Sequence, residues 1–458
     1  MSIESAITEL EPQFGKRLSR AAAILEQHGK DEAWHKPSPP DAVIWPHSTD
    51  EVSLIARTCN AHGCPIIAWG AGTSLEGHVI PVQGGITLDL SEMNAVLSVH
   101  PEDMDVTVQP GITRKRLNEE LRDTGLFFPI DPGADATIGG MAGTRASGTC
   151  AVRYGTMRES VLALEVVLAD GRVIRTGTRA KKSSAGYDLT KLFVGSEGTL
   201  GIITEITLRL HGVPEATSAA ICAFPTARDA VNTAIQTIQM GIPIARIEFL
   251  DVPAIQAVNT ANGYEMSEQP TLFMEFHGSD AGVAEQAETV AELASEHDGS
   301  GFEWTTKAED RTKLWTARHN FAYSVGQQHP GKRLLATDAC VPISRLADCI
   351  DETAEDAASS HLFYCVVGHV GDGNFHGTLV LDPDDPEDVA EAQRMTDRLT
   401  ERTLAMGGTI SGEHGVGFGK KKFMEREHGA DAWGLMGAIK QSFDPNGILN
   451  PGKLLPGN

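Results

Sequence analysis

The sequence predicts an α+β protein in which helices cover two kinds of sheet. The order strand, helix, strand over residues 41–70 predicts a βαβ unit near the start of the chain. Two β-α-β segments follow each other closely between residues 217 and 306, which is the pattern of an antiparallel sheet backed by helices. Between these regions, the Asp170-Gly171 pair separates two apolar runs and predicts a β-hairpin.

The first region can be read element by element. Residues 1–40 have a helical pattern that breaks at HKPSPP. Thr49 is a good N-cap for the helix of the βαβ unit, and Gly63 is its stop. Further strands are predicted at GITLDL (85–90), MDVTVQPG (104–111) and GIITEITLRL (201–210), and a further helix at TRKRLNEELRDTG (113–125).

The second region alternates more regularly. Its predicted strands are TSAAICAF (217–224), IARIEFL (244–250), TLFMEFHG (271–278) and GFEWTT (301–306). Its predicted helices cover residues 227–241, 281–299, 310–328 and about 386–406, and the tail from residue 442 is rich in loops.

Composition excludes several classes of partner and location. The chain has 38 Lys and Arg against 62 Asp and Glu, a formal charge of −24, which disfavours nucleic acid and anionic lipid. No apolar run reaches the ~18 residues of a membrane helix, so no transmembrane segment is expected. The N-terminus has no apolar signal core, and the seven cysteines form no C-x-x-C pair. These features predict a cytoplasmic protein with reduced thiols, at most peripheral at the inner membrane.

Four glycine-rich segments lie between residues 70 and 202. Glycine lets backbone N–H groups approach phosphate oxygens, and nearby hydroxyls add donors. One such segment alone would be explained as a tight turn, but four favour a long ligand such as an extended dinucleotide. The Rossmann NAD pattern fails because Leu75 stands where its third glycine is needed. The segments are GAGTSLEGH (70–78), DPGADATIGGMAGTRASGT (131–149), RYG (153–155) and GSEGTLGI (195–202).

The segment GHVGDGNFHGTLV (368–380) places His369 and His376 on either side of a turn. In a hairpin centred between Asp372 and Gly373, the two histidines would be cross-strand partners on one face, with Cβ atoms ~5 Å apart. Two imidazoles at that spacing can bind one metal ion. The alternative is that both are hydrogen-bonded polar residues at a strand end.

Two further segments carry candidate functional residues. SGEHG offers Glu413 as a third metal donor, which would leave an open coordination position of the catalytic type, and His414 as a general base. A solvated loop is the alternative for this segment. Arg318, in LWTARHN, could pair with a substrate carboxylate or form an ordinary surface ion pair.

Taken together, eight segments resemble the FAD-linked D-lactate dehydrogenases, which are flavoproteins of the vanillyl-alcohol oxidase and p-cresol methylhydroxylase type. The resemblance runs from about residue 38 to 456. It implies a FAD-binding domain of two subdomains (1–212), a substrate or cap domain with a large antiparallel sheet covered by helices and a metal site (213–415), and a C-terminal segment that returns to the flavin domain (416–458). The segments are GAGTSLEGH, DPGADATIGGMAGTRASGT with RYG, LFVGSEGTLGII, LWTARHN, TDACVPISRL, GHVGDGNFH, SGEHGVG and FDPNGILNPGK.

The resemblance also assigns roles to residues. His369, His376 and Glu413 match the divalent metal ligands, for zinc or manganese, while His414 matches the base and Arg318 the carboxylate anchor. His78 is a candidate for covalent attachment of FAD, but close relatives bind FAD without a bond, and we expect non-covalent binding. The residues that match FAD-binding segments are Gly70, Gly72, Thr73, Ser74, Pro132, Thr137, Gly140, Ser147, Gly148, Glu197, Gly198, Ile203 and Asn450.

The implied reaction is metal-assisted oxidation of a D-2-hydroxy acid to the 2-oxo acid, with hydride transfer to flavin N5. Relatives that act on 2-hydroxyglutarate carry Lys-Tyr-Asp where this chain has Ala336-Thr337-Asp338. The missing cation favours D-lactate or a longer monocarboxylate. D-2-hydroxyglutarate dehydrogenase and the FAD subunit of glycolate oxidase stay open as alternatives.

The electron acceptor expected from the resemblance is a cytochrome, a quinone or an electron-transfer flavoprotein, and a homodimer is left open. Three readings outside this function also remain: an NAD-dependent metal dehydrogenase, a flavin oxidase, and a non-enzymatic protein that binds FAD or metal.

Overall fold

The computed structural model describes residues 2–456, which divide into two compact units. The first unit comprises Met1–Ser147, Gly155–Val213 and Glu413–Asn458, and the second comprises Gly148–Tyr154 and Pro214–Gly412. The domain boundaries expected from the sequence, after residues 212 and 415, stay a prediction, and the two units divide after Val213 and Gly412. The sequence did not predict that the short segment Gly148–Tyr154 belongs to the second unit.

The first unit contains two main sheets. The four-stranded sheet has the order β1 (Leu18–Ser19), β2 (Ala42–Ile44), β4 (Ile86–Asp89), β3 (Ile66–Trp69). Strands β2 and β3 both run parallel to β4. The predicted βαβ unit is therefore present, with β4 inserted between its strands. The second sheet is antiparallel, of order β5-β6-β10-β8-β9, and includes the predicted hairpin at Asp170-Gly171. The strands are β1 Leu18–Ser19, β2 Ala42–Ile44, β3 Ile66–Trp69, β4 Ile86–Asp89, β5 Val96–His100, β6 Asp105–Val108, β7 Leu126–Phe127, β8 Val161–Val167, β9 Val173–Gly177, β10 Ile202–Arg209 and β11 His211–Gly212.

Helices of the first unit pack their apolar faces on these sheets. The βαβ helix begins one residue earlier than predicted, because the Ser48 side chain accepts a hydrogen bond from Glu51 N at 3.3 Å. Ser48, and not Thr49, is the N-cap. The helix ends at Gly63, whose φ of 63° is the left-handed conformation expected of a glycine stop. The helices are Ile3–Phe14, Ala22–Gln27, Thr49–His62, Arg114–Leu121, Ile138–Thr144, Met157–Ser160, Leu189–Phe193, Met424–His428 and Ala430–Phe443.

One large antiparallel sheet forms the second unit, which confirms the predicted architecture. Its strand order is β15-β12-β14-β13-β18-β19-β16, with β17 also paired to β19. Buried apolar residues of the sheet, such as Phe249, Met274 and Phe276, pack against the covering helices. The strands are β12 Ala216–Ala223, β13 Ile244–Leu250, β14 Thr271–Gly278, β15 Ser300–Thr305, β16 Arg333–Ala336, β17 Ala339–Cys340, β18 Phe363–His369 and β19 Asn374–Leu381.

The helices of the second unit differ from prediction in two respects. The helix predicted over residues 310–328 is two helices, because Asn320 has φ −81° and ψ 4° and interrupts the α conformation. Three further helices, at 151–154, 252–262 and 346–357, were not anticipated. The helices are Ala151–Tyr154, Ala227–Gln239, Val252–Asn262, Asp280–Glu296, Ala308–His319, Phe321–Gln328, Leu346–Ala357 and Pro386–Ala405. Between residues 2 and 456, none of the helices has the length and apolar character needed to span a bilayer.

Candidate active site

A cavity in the first unit is lined by residues from three of the four glycine-rich segments, and the segment RYG (153–155) is not in its wall. The cavity opens to solvent, and its empty space, including the part open to solvent, is about 1270 Å³. Its wall contains twelve of the thirteen residues assigned to FAD, and the candidate residues Glu413 and His414. Gly148 is the exception, because it begins the short segment that belongs to the second unit. The twelve are Gly70, Gly72, Thr73, Ser74, Pro132, Thr137, Gly140, Ser147, Glu197, Gly198, Ile203 and Asn450.

Close backbone approaches explain the glycines of the first segment. A Cβ at Gly70 would lie 2.2 Å from Thr137 Oγ1, so only glycine fits against that hydroxyl. Thr137 in turn accepts a hydrogen bond from Gly140 N at 3.3 Å and caps the helix Ile138–Thr144. The first two glycine-rich segments therefore meet at a single side chain in the cavity wall.

The fourth segment is held in place by backbone hydrogen bonds. Gly195 N donates to Ala142 O and Glu197 N donates to Gly143 O, both at 2.9 Å. Glu197 has φ 54°, an unusual conformation for a residue with a side chain, and the backbone turns there into the cavity. The segment thus lies directly beside the second glycine-rich segment.

A buried ion pair stands in the wall between His78 and Glu197. His78 Nε2 lies 3.1 Å from Glu197 Oε1. Burial disfavours the imidazolium, but the Glu197 carboxylate outweighs that effect and raises the pKa of His78. Burial likewise opposes ionisation of Glu197, and His78 reverses this and lowers the pKa of the carboxyl. Each group therefore stabilises the charged form of the other.

The C-terminal segment reaches this same wall within the first unit. Asn450 Nδ2 donates to Glu197 O at 2.7 Å and to His78 O at 3.0 Å. The amide of Val416 donates to Glu197 Oε1 at 2.7 Å. Asn450 has a φ of 40°, which places its side chain at the cavity while its own N–H donates to Ile66 O at 2.8 Å.

The two histidines of the segment GHVGDGNFHGTLV (368–380) lie in the second unit. The register of their hairpin differs from the predicted one. His369 pairs with Asn374, and His376 pairs with Val367. They are diagonal neighbours and not direct partners, because the turn is shifted by one residue toward the N-terminus. Both still point to one face, since strand side chains alternate with period two, and their ring centroids are 5.2 Å apart.

Each of these rings is oriented through Nδ1. His369 Nδ1 lies 2.6 Å from Glu248 Oε1, and His376 Nδ1 lies 3.2 Å from the carbonyl oxygen of Thr337. Carboxylate and carbonyl oxygens only accept, so each Nδ1 carries a proton and Nε2 is the ring atom whose lone pair can bind a metal. This is the tautomer in which a histidine binds a metal through Nε2.

Arg318 is not a surface residue. Its Nε and Nη2 donate to Glu248 Oε2 at 3.0 and 2.6 Å, and its side chain is 11% exposed. Burial opposes ionisation of Glu248, but His369 and Arg318 outweigh it and lower the pKa of Glu248. A single ionised carboxylate therefore connects the candidate anchor to a candidate metal ligand.

Asp338 lies near the other histidine, His376. Its carboxylate accepts hydrogen bonds from Asn374 Nδ2 at 2.7 Å and Ser411 Oγ at 2.8 Å, and lies 3.7 Å from His376 Nδ1. These bonds fix the segment around Ser411, two residues before Glu413, against strands β17 and β19.

Sequence reasoning missed Glu248 and gave Asp338 only a role in the substrate argument. Glu248 is the one acidic residue in the apolar strand IARIEFL and is fully buried. A lone acid in an apolar strand needs a charged or hydrogen-bonded partner, and this was the available signal. The identity of its partners required the strand pairing.

Comparison with known proteins gives two family matches. Residues 40–177 match the FAD binding domain family, and residues 213–454 match the family described as FAD linked oxidases, C-terminal domain.

Curated relatives cover most of the chain. The chain is 52% identical over 441 residues to the "Probable D-lactate dehydrogenase, mitochondrial" of Danio rerio, covering 96% of this chain and 89% of the relative. It is 47% identical to the "D-lactate dehydrogenase [cytochrome], mitochondrial" of Arabidopsis thaliana, over 94% of this chain and 76% of the relative. A more distant relative, at 35% identity over 91% of this chain and 89% of the relative, is the glycolate oxidase subunit GlcD of Bacillus subtilis.

Solved structures share the fold at low identity. The chain superposes on p-cresol methylhydroxylase with a TM-score of 0.81 at 18% identity, covering 98% of this chain and 96% of that one. The 4-ethylphenol oxidase of Gulosibacter chungangensis gives a TM-score of 0.79 at 20% identity, covering 99% and 97%. These similarities confirm the predicted fold class.

The predicted cytoplasmic location is wrong. The relatives from Danio rerio, Arabidopsis thaliana and two yeasts, at 37–52% identity, are all named as mitochondrial. Reduced, scattered cysteines were the main positive argument for the cytoplasm. They indicate a reducing compartment and do not distinguish one such compartment from another.

Proposed function

The chain belongs to the FAD-linked D-lactate dehydrogenases, a family of FAD-dependent oxidoreductases with the vanillyl-alcohol oxidase fold, and from this premise we propose that it oxidises D-lactate to pyruvate at a metal-assisted flavin site. The observation that supports this most is the cavity of the first unit, whose wall contains residues of three glycine-rich segments and His414.

The cavity fits an extended dinucleotide. Glycines in its wall let the backbone approach a ligand closely, and at Gly70 a Cβ would collide with Thr137. Thr137 and Ser147 add hydroxyl groups to the same wall. We propose that the twelve wall residues, with the adjoining Gly148, hold FAD without a covalent bond. When bound, FAD supplies the acceptor for the hydride that leaves the substrate Cα.

We propose His369 and His376 as ligands of a divalent metal, zinc or manganese. Both rings face one side, are buried, and have their Nδ1 protons directed to oxygen acceptors, which suits coordination through Nε2. We propose Glu413 as the third ligand, and this assignment rests only on the sequence of the segment SGEHG. Such a metal would supply a Lewis acid for the substrate hydroxyl.

The chain's own residues would bind the acid and move its proton. Arg318 has N–H groups beyond the two that Glu248 accepts, and we propose that these bind the substrate carboxylate. His414, in the wall of the cavity, is proposed to take the hydroxyl proton as a general base.

A monocarboxylate suits the residues near His376. Ala336 and Thr337 stand where a cation for a second carboxylate would be expected, and the hydroxyl of Thr337 is already used by Gly377, whose N–H donates to it at 2.9 Å. We therefore propose D-lactate or a longer monocarboxylate over 2-hydroxyglutarate. Glycolate is the second candidate, because relatives at 35% and 29% identity are named as glycolate oxidase subunits.

We propose a cytochrome as the electron acceptor, because the Arabidopsis thaliana and Saccharomyces cerevisiae relatives are named as cytochrome-dependent D-lactate dehydrogenases. A quinone, an electron-transfer flavoprotein and a homodimer remain proposals that stand on the sequence resemblance alone.

Steady-state turnover with an artificial electron acceptor tests this function. We expect D-lactate, and not L-lactate, to be oxidised, and turnover to be lost after chelation and regained with Mn²⁺ or Zn²⁺. Equal rates with both enantiomers would contradict the stereochemistry. Undiminished turnover in a chelated protein shown to contain no metal would remove the metal from the proposal.

A further inference from the structure

We propose that Glu248 is a positioning residue that orients a metal ligand and the substrate anchor together. The inference rests on the function proposed above, because it assigns a partner to His369 and Arg318 in those roles. All three residues lie in the second unit.

Strand pairing brings Glu248 to His369. Phe249 of β13 pairs with Gly368 of β18 in an antiparallel ladder, so the preceding residue on β13 stands opposite the following residue on β18. Glu248 and His369 are therefore cross-strand partners. The carboxylate is fully buried, where an acid without partners would be costly.

Each carboxylate oxygen has a separate task. Oε1 accepts from His369 Nδ1 at 2.6 Å, and Oε2 accepts from both Nε and Nη2 of Arg318 at 3.0 and 2.6 Å. The first bond fixes the ring plane and the tautomer of His369, so that Nε2 carries the lone pair. A charged acceptor does this more strongly than the carbonyl that serves His376.

The second set of bonds fixes how Arg318 can bind a substrate. A guanidinium has five N–H donors in one plane, and Glu248 takes the Nε side. Two of the five N–H groups donate to Glu248, and the other three, two on Nη1 and one on Nη2, do not contact Glu248. A substrate carboxylate is therefore expected to bind end-on at Nη1 and Nη2, and Glu248 holds that end in a constant direction.

Replacing Glu248 by Gln separates this role from simple packing. An amide has nearly the same shape but one acceptor oxygen, so its NH₂ group would face either the His369 N–H or the Arg318 N–H groups. One of the two partners must then lose its bond and reorient.

The chain offers a closely matched control in Glu275. It lies on the neighbouring strand β14, is also buried, and also contacts a histidine and an arginine. Its Oε1 is 2.8 Å from His277 Nε2 and 3.4 Å from Arg246 Nε. Neither of these partners is assigned to metal or substrate, so Glu275→Gln should carry a similar structural cost without the functional one.

The experiment measures Mn²⁺ affinity of the full-length flavoprotein after chelation, by electron paramagnetic resonance of unbound Mn²⁺, with the flavin-to-protein ratio as a check on folding. We expect Glu248→Gln to weaken Mn²⁺ binding about 10- to 100-fold, and Glu275→Gln to leave it within about twofold. The KM for D-lactate should also rise in the Glu248 variant more than kcat falls, because Arg318 loses its fixed direction.

Two results would overturn the inference in distinguishable ways. Tight Mn²⁺ binding in both the native protein and the Glu248→Gln variant, with unchanged KM, would reject Glu248 as a positioning residue and leave the metal site standing. No Mn²⁺ or Zn²⁺ binding by the native protein would reject the metal site itself. If the amide variant gives no folded flavoprotein, Glu248→Asp, which keeps the charge but shortens the reach, is tested with the same expectation.

Discussion

His78 and Glu197 form a buried ion pair in the cavity wall, with 3.1 Å between Nε2 and Oε1. The same carboxylate accepts the amides of Val416 and Gly417 at 2.7 and 2.9 Å. One side chain thus joins the first glycine-rich segment, the fourth glycine-rich segment and the C-terminal segment of the first unit. The integrity of the cavity should depend on this carboxylate.

Removing the charge of Glu197 should therefore be costly. Glu197→Gln leaves a buried imidazolium without its counterion, and breaking such a pair typically costs about 3–5 kcal/mol. We expect a lower midpoint of thermal unfolding by differential scanning calorimetry. Glu205→Gln is the control, because the Arg175–Glu205 contact is at the surface and should contribute at most ~1 kcal/mol. Equal losses in both variants would contradict the assignment.

The pair should also give stability a specific pH dependence. The pKa of His78 is raised above its ordinary 6.5 in the folded protein, because the Glu197 carboxylate outweighs burial. The stabilisation that the charged His78 contributes to the free energy of unfolding is thus complete below pH 6.5. It is lost as the pH rises through the pKa of His78 in the folded protein, which is higher than 6.5. The difference in unfolding free energy between the native protein and Glu197→Gln should shrink from pH 6 to pH 9. A difference that stays constant over this range would contradict the prediction.

Gly70→Ala should weaken FAD binding. The new Cβ would lie 2.2 Å from Thr137 Oγ1, so the first two glycine-rich segments must separate. Such overpacking typically costs about 1–3 kcal/mol, equivalent to about a 5- to 150-fold weaker affinity. Titration of the apoprotein with FAD, followed by flavin fluorescence, measures this. Gly434→Ala is the control, since a Cβ there meets no atom within 4 Å, and native-like affinity in both variants would count against the cavity as the FAD site.

His414→Ala should slow flavin reduction by D-lactate while FAD stays bound. Loss of a general base typically reduces the rate about 10²- to 10⁴-fold. Rapid mixing under anaerobic conditions, followed at the flavin absorbance, measures the step directly. His47→Ala removes an exposed histidine paired with Glu92 and should reduce at the native rate. Native-rate reduction in the His414 variant would remove it from the mechanism.

Acid precipitation should release the flavin into the supernatant. His78 is the residue whose type and place would suit covalent attachment, but its Nε2 is engaged by Glu197 and its raised pKa favours the imidazolium, which is not a nucleophile. A yellow pellet and a colourless supernatant would show that FAD is covalently bound and that this argument is wrong.

Sequence patterns predicted the parts of the molecule that depend on local chemistry. The Asp170-Gly171 hairpin, the Gly63 helix stop and the alternating elements of the second unit follow from turn and period rules. The break at Asn320 was missed because the surrounding residues keep helical periodicity on both sides.

The candidate site was predicted in type more than in geometry. His369 and His376 share a face as expected, but the register is shifted by two positions because the turn is centred one residue closer to the N-terminus than predicted, between Gly371 and Asp372. Glu248 was missed because it lies 121 residues before His369 and meets it only through pairing of β13 with β18. Long-range strand pairing carries no local signal, and a single sequence does not reveal it.

The central claim is that a D-2-hydroxy monocarboxylate reduces the bound flavin, and anaerobic mixing of the purified protein with D-lactate, L-lactate and D-2-hydroxyglutarate tests it most directly. We predict that D-lactate alone bleaches the flavin absorbance. Bleaching by D-2-hydroxyglutarate and not by D-lactate would contradict the argument from Ala336 and Thr337, and a yellow protein that none of the three acids bleaches would contradict the proposed reaction.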